Sequence, residues 1–313
     1  MSFPQEKILS PAQLAAAGDP LARSGLVVVD KPQNMTSHDV VGRLRRIFGT
    51  RKVGHAGTLD PMATGVLVVG IERGTKFLAH LVADTKTYSA TIRLGAATTT
   101  DDSEGEILTQ HDASPISDEQ IHAGIERLRG EIMQRPSSVS AIKIQGRRAH
   151  ELVREGVDVE IPERPVTIFS FEVHAISRTA TWVDIDCTVH CSSGTYIRSL
   201  ARDLGAFLGV GGHLTALRRS AVGPFTLDKA TTLEQLEASA DLSLSLDQAM
   251  AASFSTLSLS PDEATALSMG KWLSPRGLRG VHAGIAPDGR AIALVKEQGK
   301  RLSTVFVARP STL

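Results

Sequence analysis

The pattern of hydrophobic and polar positions predicts strands and amphipathic helices along the first hundred residues. Apolar residues recur at helical spacing from Val40 to Phe48, behind a Thr36 cap and before Gly49, so we expect a helix there. Unbroken or alternating apolar runs, which are typical of strands, occupy Leu26–Val29, Val66–Val69 and Tyr88–Leu94.

The second half of the chain continues this mixture and then changes character. Strands are predicted at residues 166–176 and 182–189, and helices at residues 118–129 and after Ser192. Because no βαβ repeat is visible, the predicted class is α+β, with a largely antiparallel mixed sheet flanked by helices. Short strands separated by turn residues predict a small β-rich domain near the C terminus. The predicted division is a loosely attached extension at 1–24, a main domain at 25–240, a linker at 241–257 and the small domain at 258–313.

Composition indicates a globular protein whose charges are segregated. The chain is 42% hydrophobic and 22% charged, with a formal net charge of zero, which favours neither disorder nor a membrane protein. Residues 43–52 carry only basic charges and residues 101–106 only acidic ones. A nucleic-acid partner therefore remains compatible with zero net charge, because binding depends on local fields. No stretch is apolar enough to span a bilayer, and we expect a cytoplasmic protein.

The two cysteines indicate neither a disulfide nor a metal site. Cys187 and Cys191 lie in a predicted strand, where residues four apart are separated by about 13 Å. That distance is too long for a disulfide. Two thiols without close spacing also make no zinc site, so buried or half-buried cysteines are expected.

A glycine-rich loop between predicted strands holds a candidate nucleophile. Asp60 precedes a proline, which disfavours helix, and lies between glycines that allow a ligand backbone to approach closely. The alternative for an isolated Asp-Pro pair is an ordinary turn. The surrounding sequence decides between the two interpretations.

Four motifs resemble those of the TruB family of pseudouridine synthases and follow one another in family order. They are Gly54-His55-Ala56-Gly57-Thr58-Leu59-Asp60-Pro61-Met62-Ala63-Thr64-Gly65, Asp30-Lys31-Pro32 with Met35-Thr36-Ser37, Ala141-Ile142-Lys143 after Pro136-Ser137-Ser138, and Gly194-Thr195-Tyr196-Ile197-Arg198-Ser199-Leu200-Ala201-Arg202-Asp203-Leu204-Gly205. The resemblance covers about residues 25–230 and implies a pseudouridine synthase fold for this catalytic domain. The C-terminal part is similar in placement and β-rich character to the family's small PUA-like RNA-binding domains.

The resemblance implies a catalytic set. It assigns the nucleophile to Asp60, the active-site tyrosine to Tyr88 and a pairing partner of Asp60 to Arg198. It also places Tyr196 against the uracil. Without the resemblance, Tyr88 would be a core aromatic on a strand. Arg198 would then be a solvated arginine at a helix start. Because the helix dipole is positive there, an acidic partner is expected.

Further residues are assigned to substrate binding by the same resemblance. His55 is expected to fill the gap that a flipped base leaves in the loop, although a structural or merely exposed histidine is the alternative. For Lys31, Lys76 and Asp102, ordinary surface charge remains an open interpretation. Lys143 completes the predicted substrate-binding set.

Two basic segments are expected to grip the RNA backbone. Their candidate residues are Arg43, Arg46, Arg51, Lys52, Arg147 and Arg148. The alternative is that each charge run is a solvated face. The chain also departs from the family by carrying Val139 and His150 where tyrosines are frequent, so stacking is expected to be weaker there.

The function implied is isomerisation of the T-loop uridine at tRNA position 55 to pseudouridine after base flipping. The expected partner is the T-stem and loop of tRNA, without a cofactor, a metal or an obligate protein partner, and a monomer is expected by analogy. One alternative is a related guide-directed synthase acting on another RNA, although such relatives carry long basic extensions that we do not expect in this chain. The other is a non-catalytic RNA-binding or RNA-folding protein, against which Asp60, Tyr88 and Arg198 argue together.

Overall fold

A computed structural model of the protein describes residues 8–81, 85–137, 143–144, 147–148 and 161–313. Its α-helices are α1 Pro11–Ala16, α2 Ser37–Ile47, α3 Gly74–Phe77, α4 Asp118–Glu126, α5 Ile197–Phe207, α6 Leu233–Ala238, α7 Leu246–Ser253 and α8 Pro261–Ser268. Short 3-10 helices occupy Leu78–His80 and Leu227–Lys229.

Strands are interspersed with these helices, which confirms the predicted α+β class. The strands are β1 Gly25–Lys31, β2 Val53–Ala56, β3 Thr64–Ile71, β4 Lys86–Leu94, β5 Ala96–Thr98, β6 Ile107–Gln110, β7 Gly130–Gln134, β8 Lys143–Ile144, β9 Arg147–Arg148, β10 Arg164–Arg178, β11 Val183–Cys191, β12 Gly212–Val222, β13 Phe225–Thr226, β14 Leu244–Ser245, β15 Ser255–Ser258, β16 Val281–Ile285, β17 Ala291–Gln298 and β18 Arg301–Val307.

The chain forms two compact units. One contains the described residues of 1–61, 65–82 and 223–313, and the other contains those of 62–64 and 83–222. The boundaries predicted at residues 240 and 258 differ from this division and stay a prediction. The difference arises because the chain returns to its first strands, where β14 pairs with β1 and Thr231 bridges to Val29.

In the first unit, β1 lies between β14 and β3, and β2 also pairs with β3, all antiparallel. The apolar face of α2 packs on this sheet, with Val40 and Leu44 fully buried against Val27 and Leu67. The predicted helix start is confirmed, because the Thr36 side chain caps α2 in a capping box with Asp39. The sheet and α2 thus flank the glycine-rich loop that carries the candidate nucleophile.

Two segments of the first unit are more ordered than the sequence suggested. The predicted loose extension packs from Ile8 onward, with Leu14 and Leu21 almost fully buried and α1 capped by Ser10. The predicted linker at 241–257 contains β14 and the buried helix α7. Both segments are too short for a clear periodicity, so their order depends on the surfaces they cover.

The predicted C-terminal β-rich domain is confirmed as a sheet of order β15-β16-β17-β18. Its first pair is parallel and the others are antiparallel. The sheet and α8 enclose a small core around Leu267, Val295 and Leu302.

A buried ion cluster joins this domain to the rest of the first unit. Arg309 donates through Nη1 to both carboxylate oxygens of Asp19, at 2.8 and 2.9 Å, and through Nη2 to Asp247, at 2.7 Å. The other oxygen of Asp247 accepts the backbone N–H of Ala291 at 2.9 Å. Burial raises the pKa of Asp247, while the charge and hydrogen bonds of Arg309 pull it down. Arg309 is therefore the cation that pairs with both buried carboxylates, while Arg290 pairs with Asp19 alone, at 3.0 Å.

Removing Arg309 should consequently destabilise the first unit more than removing its half-buried neighbour Arg290. Arg309→Ala leaves Asp247 uncompensated and Asp19 with Arg290 alone, and we expect it to lower the free energy of unfolding by about 3–5 kcal/mol. Arg290→Ala, in which a side chain 35% exposed is removed from Asp19, is the control and should cost under about 1 kcal/mol. Urea unfolding of both variants gives the comparison, and equal losses would contradict this role of Arg309.

The second unit is built on antiparallel strands in the order β12-β4-β11-β10-β7. Helix α5 packs against β12 and β4. Its backbone comes so close to β12 that a Cβ on Gly205 would lie 2.1 Å from the nitrogen of Gly212. These glycines therefore set the position of α5, which carries Tyr196 at its cap and Arg198 in its first turn.

The two cysteines are free and buried on β11, as the sequence predicted. Burial raises the pKa of the Cys187 thiol to about 12 and that of Cys191 to about 11. Both thiols therefore remain protonated at neutral pH.

Candidate active site

The loop that carries Asp60 is fixed at Leu59, the residue before Asp60, by the side chain of the buried Ser37. Asp60 lies between β2 and β3 and is half-buried. Ser37, the first residue of α2, accepts the backbone N–H of Leu59 at 2.9 Å and donates to the carbonyl of Leu59 at 3.2 Å. The start of α2 therefore fixes the peptide groups on the N-terminal side of Asp60.

The residue after Asp60 is held by a buried lysine. Lys31 is fully buried, and its Nζ donates to the carbonyls of Met35 at 2.7 Å, Pro32 at 2.9 Å and Pro61 at 3.4 Å. The backbone N–H of Asn34 also donates to Pro61, at 2.9 Å. Burial excludes the ordinary surface-charge interpretation of Lys31. Its contacts hold the loop on the C-terminal side of Asp60.

The other predicted residues of the first unit lie in different surroundings. His55 is half-buried on β2, opposite Val69, and so belongs to a strand where the sequence suggested a loop. Lys76 is exposed on α3. The surface-charge interpretation of Lys76 therefore stays open, and the role of His55 stays a prediction.

In the second unit, Arg198 and Asp102 form a buried ion pair. Nη1 of Arg198 lies 3.4 Å from the Asp102 carboxylate and donates to the carbonyl of Thr100 at 2.8 Å. The two residues are 3% and 2% exposed, which excludes the surface-charge interpretation of Asp102. The acidic partner expected for Arg198 thus includes Asp102. The predicted pairing of Arg198 with Asp60 stays a prediction.

A second arginine, which the sequence analysis missed, supports the turn that contains Asp101 and Asp102. Arg202 follows Arg198 by one helical turn and lies 3.3 Å from the carboxylate of Asp101. Asp101 has a left-handed φ of 60° and a carboxyl whose pKa is raised by burial, although the Arg202 charge opposes that rise. The adjacent acids at 101–102 and the arginines at 198 and 202 were the available sequence signal, because residues four apart share one helix face.

Tyr88 lies on β4 between β11 and β12, opposite Val189 and Arg219, and is 7% exposed. Arg219 is 1% exposed, so a buried cation lies on the strand beside this tyrosine. Sequence analysis missed Arg219, because consecutive arginines on a strand predict a solvated face.

Tyr196 is held by a buried amide at the start of α5. The side chain of Gln134, fully buried at the end of β7, accepts the backbone N–H of Tyr196 at 2.8 Å and donates to its carbonyl at 3.0 Å. The guanidinium of Arg164 lies 5.0 Å from the centre of the Tyr196 ring, within the range of a cation–π contact. Backbone and ring of Tyr196 are therefore both fixed by side chains outside its helix.

Gln134 allows a test of this fixation by near-isosteric variants. Gln134→Met removes both hydrogen bonds and should lower the free energy of unfolding by about 1–3 kcal/mol, because the Tyr196 N–H loses its partner and the carbonyl keeps only the N–H of Leu200. Gln134→Glu keeps the bond to the Tyr196 N–H and places an oxygen against its carbonyl. If Tyr196 contacts the substrate, both variants should raise KM more than they lower kcat. An unchanged KM in folded variants would show that the hydrogen bonds of Gln134 to Tyr196 do not affect substrate binding.

The predicted RNA-backbone residues fall into three groups. Arg46 and Arg51 are exposed. Arg43 binds Glu237 through two hydrogen bonds of 2.7 and 3.0 Å, and Lys52 lies 3.2 Å from Glu72, so acids offset both charges. Arg147 and Arg148 form β9, which pairs with β8, whose first residue is Lys143. The side chains of these three residues lie outside the described part of the chain.

Neither a metal centre nor a membrane span is found among the described residues. No group of three or more His, Cys, Asp and Glu side chains in those ranges is arranged to hold a metal ion. No helix there is long and apolar enough to cross a membrane.

The fold matches those of two solved structures. It matches the structure titled "Structure of H/ACA RNP bound to a substrate RNA containing 2'-deoxyuridine" with a TM-score of 0.72 over 99% of this chain and 90% of that chain, at 23% identity. A Cbf5-Nop10-Gar1 complex matches with a TM-score of 0.72 over 97% of this chain and 90% of that chain, at 24% identity. At such identities the likeness is one of fold.

Comparison of sequences shows the family to which the chain belongs. Residues 45–197 match the family described as "TruB family pseudouridylate synthase (N terminal domain)", and residues 198–251 and 254–309 match the C-terminal domains of tRNA pseudouridine synthases B and II. The "tRNA pseudouridine synthase B" of Corynebacterium diphtheriae is 68% identical over 94% of this chain and 99% of its own length. That of Rhodococcus jostii is 57% identical over 94% and 96%. The chain belongs to the TruB family of pseudouridine synthases.

Proposed function

We propose that this protein converts the T-loop uridine at position 55 of tRNA to pseudouridine, with Asp60 as the nucleophile. The observation that carries the proposal is the fixation of the Asp60 loop on both sides, by Ser37 at Leu59 and by Lys31 at Pro61. Fixing the backbone on both sides of Asp60 limits the positions that its carboxylate can take, which removes part of the entropic barrier of the reaction. Membership of the TruB family supports the same assignment.

The reaction moves one bond and needs no redox partner. The N1–C1′ bond of the uridine breaks, the uracil turns, and a C5–C1′ bond forms while the proton leaves C5 and N1 becomes protonated. Asp60 either attacks the sugar carbon or stabilises positive charge there, as carboxylates do in glycosidases. Tyr88 stacks on the base and is the candidate for proton transfer. Arg198 pairs with Asp60 and keeps it ionised, and Tyr196 lines the uracil pocket.

The target uridine must leave the loop stack before it can react. His55 fills the space of the departed base, which lowers the cost of unstacking. The exposed residues Arg46 and Arg51 contact the RNA backbone, together with Lys143, Arg147 and Arg148. Arg43 and Lys52 contribute less, because their carboxylate partners compete with phosphate. A monomer binds the T-stem and loop in the cytoplasm without an obligate protein partner or a cofactor.

Incubation with an unmodified tRNA transcript, followed by chemical mapping of pseudouridine, tests this function. We expect conversion at position 55 alone. A ribosomal RNA fragment serves as the second substrate, and its preferential conversion would favour a synthase for another RNA. Tight tRNA binding without any conversion would favour a non-catalytic RNA-binding protein and contradict the proposal.

A further inference from the structure

The C-terminal domain exposes one of the two tryptophans of the chain. Trp272 is 53% exposed, and the guanidinium of Arg301 lies 4.8 Å from the centre of its ring. Leu273, the next residue, is bridged to Leu302 by two backbone hydrogen bonds of 3.0 and 2.9 Å, and both leucines pack into the domain core. Because neighbouring residues on a strand alternate in direction, this bridge directs Trp272 and Arg301 outward.

The strand register places further polar and basic residues on the same side. Lys296 lies opposite Ser303 and Gln298 lies opposite Arg301. Residues directly opposite in a sheet share one face. We call the surface formed by Lys296, Gln298, Arg301, Ser303 and Trp272 the Trp272 face. Lys271 and Lys300 are exposed and adjoin it in sequence.

The charge on the Trp272 face is not neutralised by the acids of the domain. Residues 254–309 contain eight Lys and Arg against four Asp and Glu. Glu263 pairs with Arg276 and Asp288 pairs with Arg290. Asp262 is exposed in the first turn of α8, and Glu297 lies opposite Leu302, on the other side of the sheet. Within the described ranges, neither Lys296 nor Arg301 makes an ion pair with an acid. An exposed aromatic ring beside cations is what proteins use to hold unpaired nucleotides.

We propose that the Trp272 face binds an unpaired nucleotide of the RNA, with its base stacked on Trp272 and its phosphate near Lys296 and Arg301. This contact is separate from the uridine pocket. It rests on the proposed function only in taking RNA as the partner. It provides affinity and takes no part in the chemical step. Trp272→Ala should therefore raise the Kd for tRNA by about 5- to 150-fold and leave kcat at saturating RNA unchanged.

The second tryptophan makes the stacking directly measurable. Trp182 is half-buried just before β11, with the guanidinium of Arg93 5.8 Å from its ring centre, so it is a matched indole on the other unit. Trp182→Phe leaves Trp272 as the only indole, and Trp272→Phe leaves Trp182. Titration with a short single-stranded oligouridylate should quench the fluorescence of the Trp182→Phe variant saturably and leave that of the Trp272→Phe variant unchanged. A duplex RNA of the same length should quench neither.

Three outcomes would overturn the proposal: no saturable quenching of Trp272, equal quenching of the two indoles, or equal quenching by single-stranded and duplex RNA. A rise in Kd on Lys296→Ala without quenching would indicate a backbone contact alone and would also contradict stacking. The proposed function is tested separately by the wild-type protein. Conversion of tRNA without quenching would contradict only the proposal that the Trp272 face binds a nucleotide. Quenching without conversion would contradict only the proposed function.

Discussion

The Asp60→Asn variant is expected to bind tRNA normally and to lose turnover by at least about 10⁴-fold, which is the order of loss when an enzyme is deprived of its nucleophile. The amide keeps the shape of the carboxylate but cannot form or stabilise a bond to the sugar carbon. The loop should keep its position, because the hydrogen bonds of Ser37 and Lys31 to the backbone of Leu59 and Pro61 do not depend on the substituted atoms. Single-turnover pseudouridine formation on an unmodified transcript gives the measurement.

A matched substitution separates loss of the nucleophile from loss of a charge. Asp112→Asn removes an exposed carboxylate and should leave both kcat and the Kd for tRNA unchanged. Filter binding with the Asp60→Asn variant should give the wild-type Kd within a few-fold. Measurable turnover by Asp60→Asn, with wild-type contamination excluded, would remove Asp60 from the role of nucleophile.

The Arg198→Ala variant should lose both activity and stability. Its side chain is 3% exposed and compensates the charge of Asp102, so its removal leaves a buried carboxylate and should cost about 3–5 kcal/mol of unfolding free energy. Because we propose that Arg198 also orients Asp60, we expect the kcat of the folded variant to fall about 10²- to 10³-fold. Single-turnover rates measured well below the unfolding temperature separate the two effects.

Two further variants make the role of Arg198 falsifiable. Arg198→Lys restores a positive charge without the planar fork, so it should recover more stability than activity. Arg178→Ala, which breaks the pair of an exposed arginine with Asp118 on the same unit, should leave the rate unchanged. If Arg198→Lys restores activity and stability in equal measure, the charge alone matters and the orienting role is wrong.

The sequence by itself determined the fold class, the family and the candidate nucleophile. The apolar run of β1, the capped helix α2 and the alternation in β4 are local patterns, and the structure contains each of them. Helix caps and apolar periodicity depend on neighbouring residues, so they can be recognised without a structure. The motif from Gly54 to Gly65 indicated Asp60 for the same reason.

Only the tertiary structure decided which charged residues are buried. Lys31 and Asp102 could have been surface charges, and Arg219 and Gln134 carried no distinguishing pattern in the sequence. Their partners lie far away along the chain, as Gln134 and Tyr196 do at a separation of 62 residues. The order of residues 8–24 and of α7 likewise depends on Asp19, Asp247 and Arg309, which meet only after folding. Burial of a charge is a property of the assembled core, because the desolvation cost is offset by partners that no local pattern specifies.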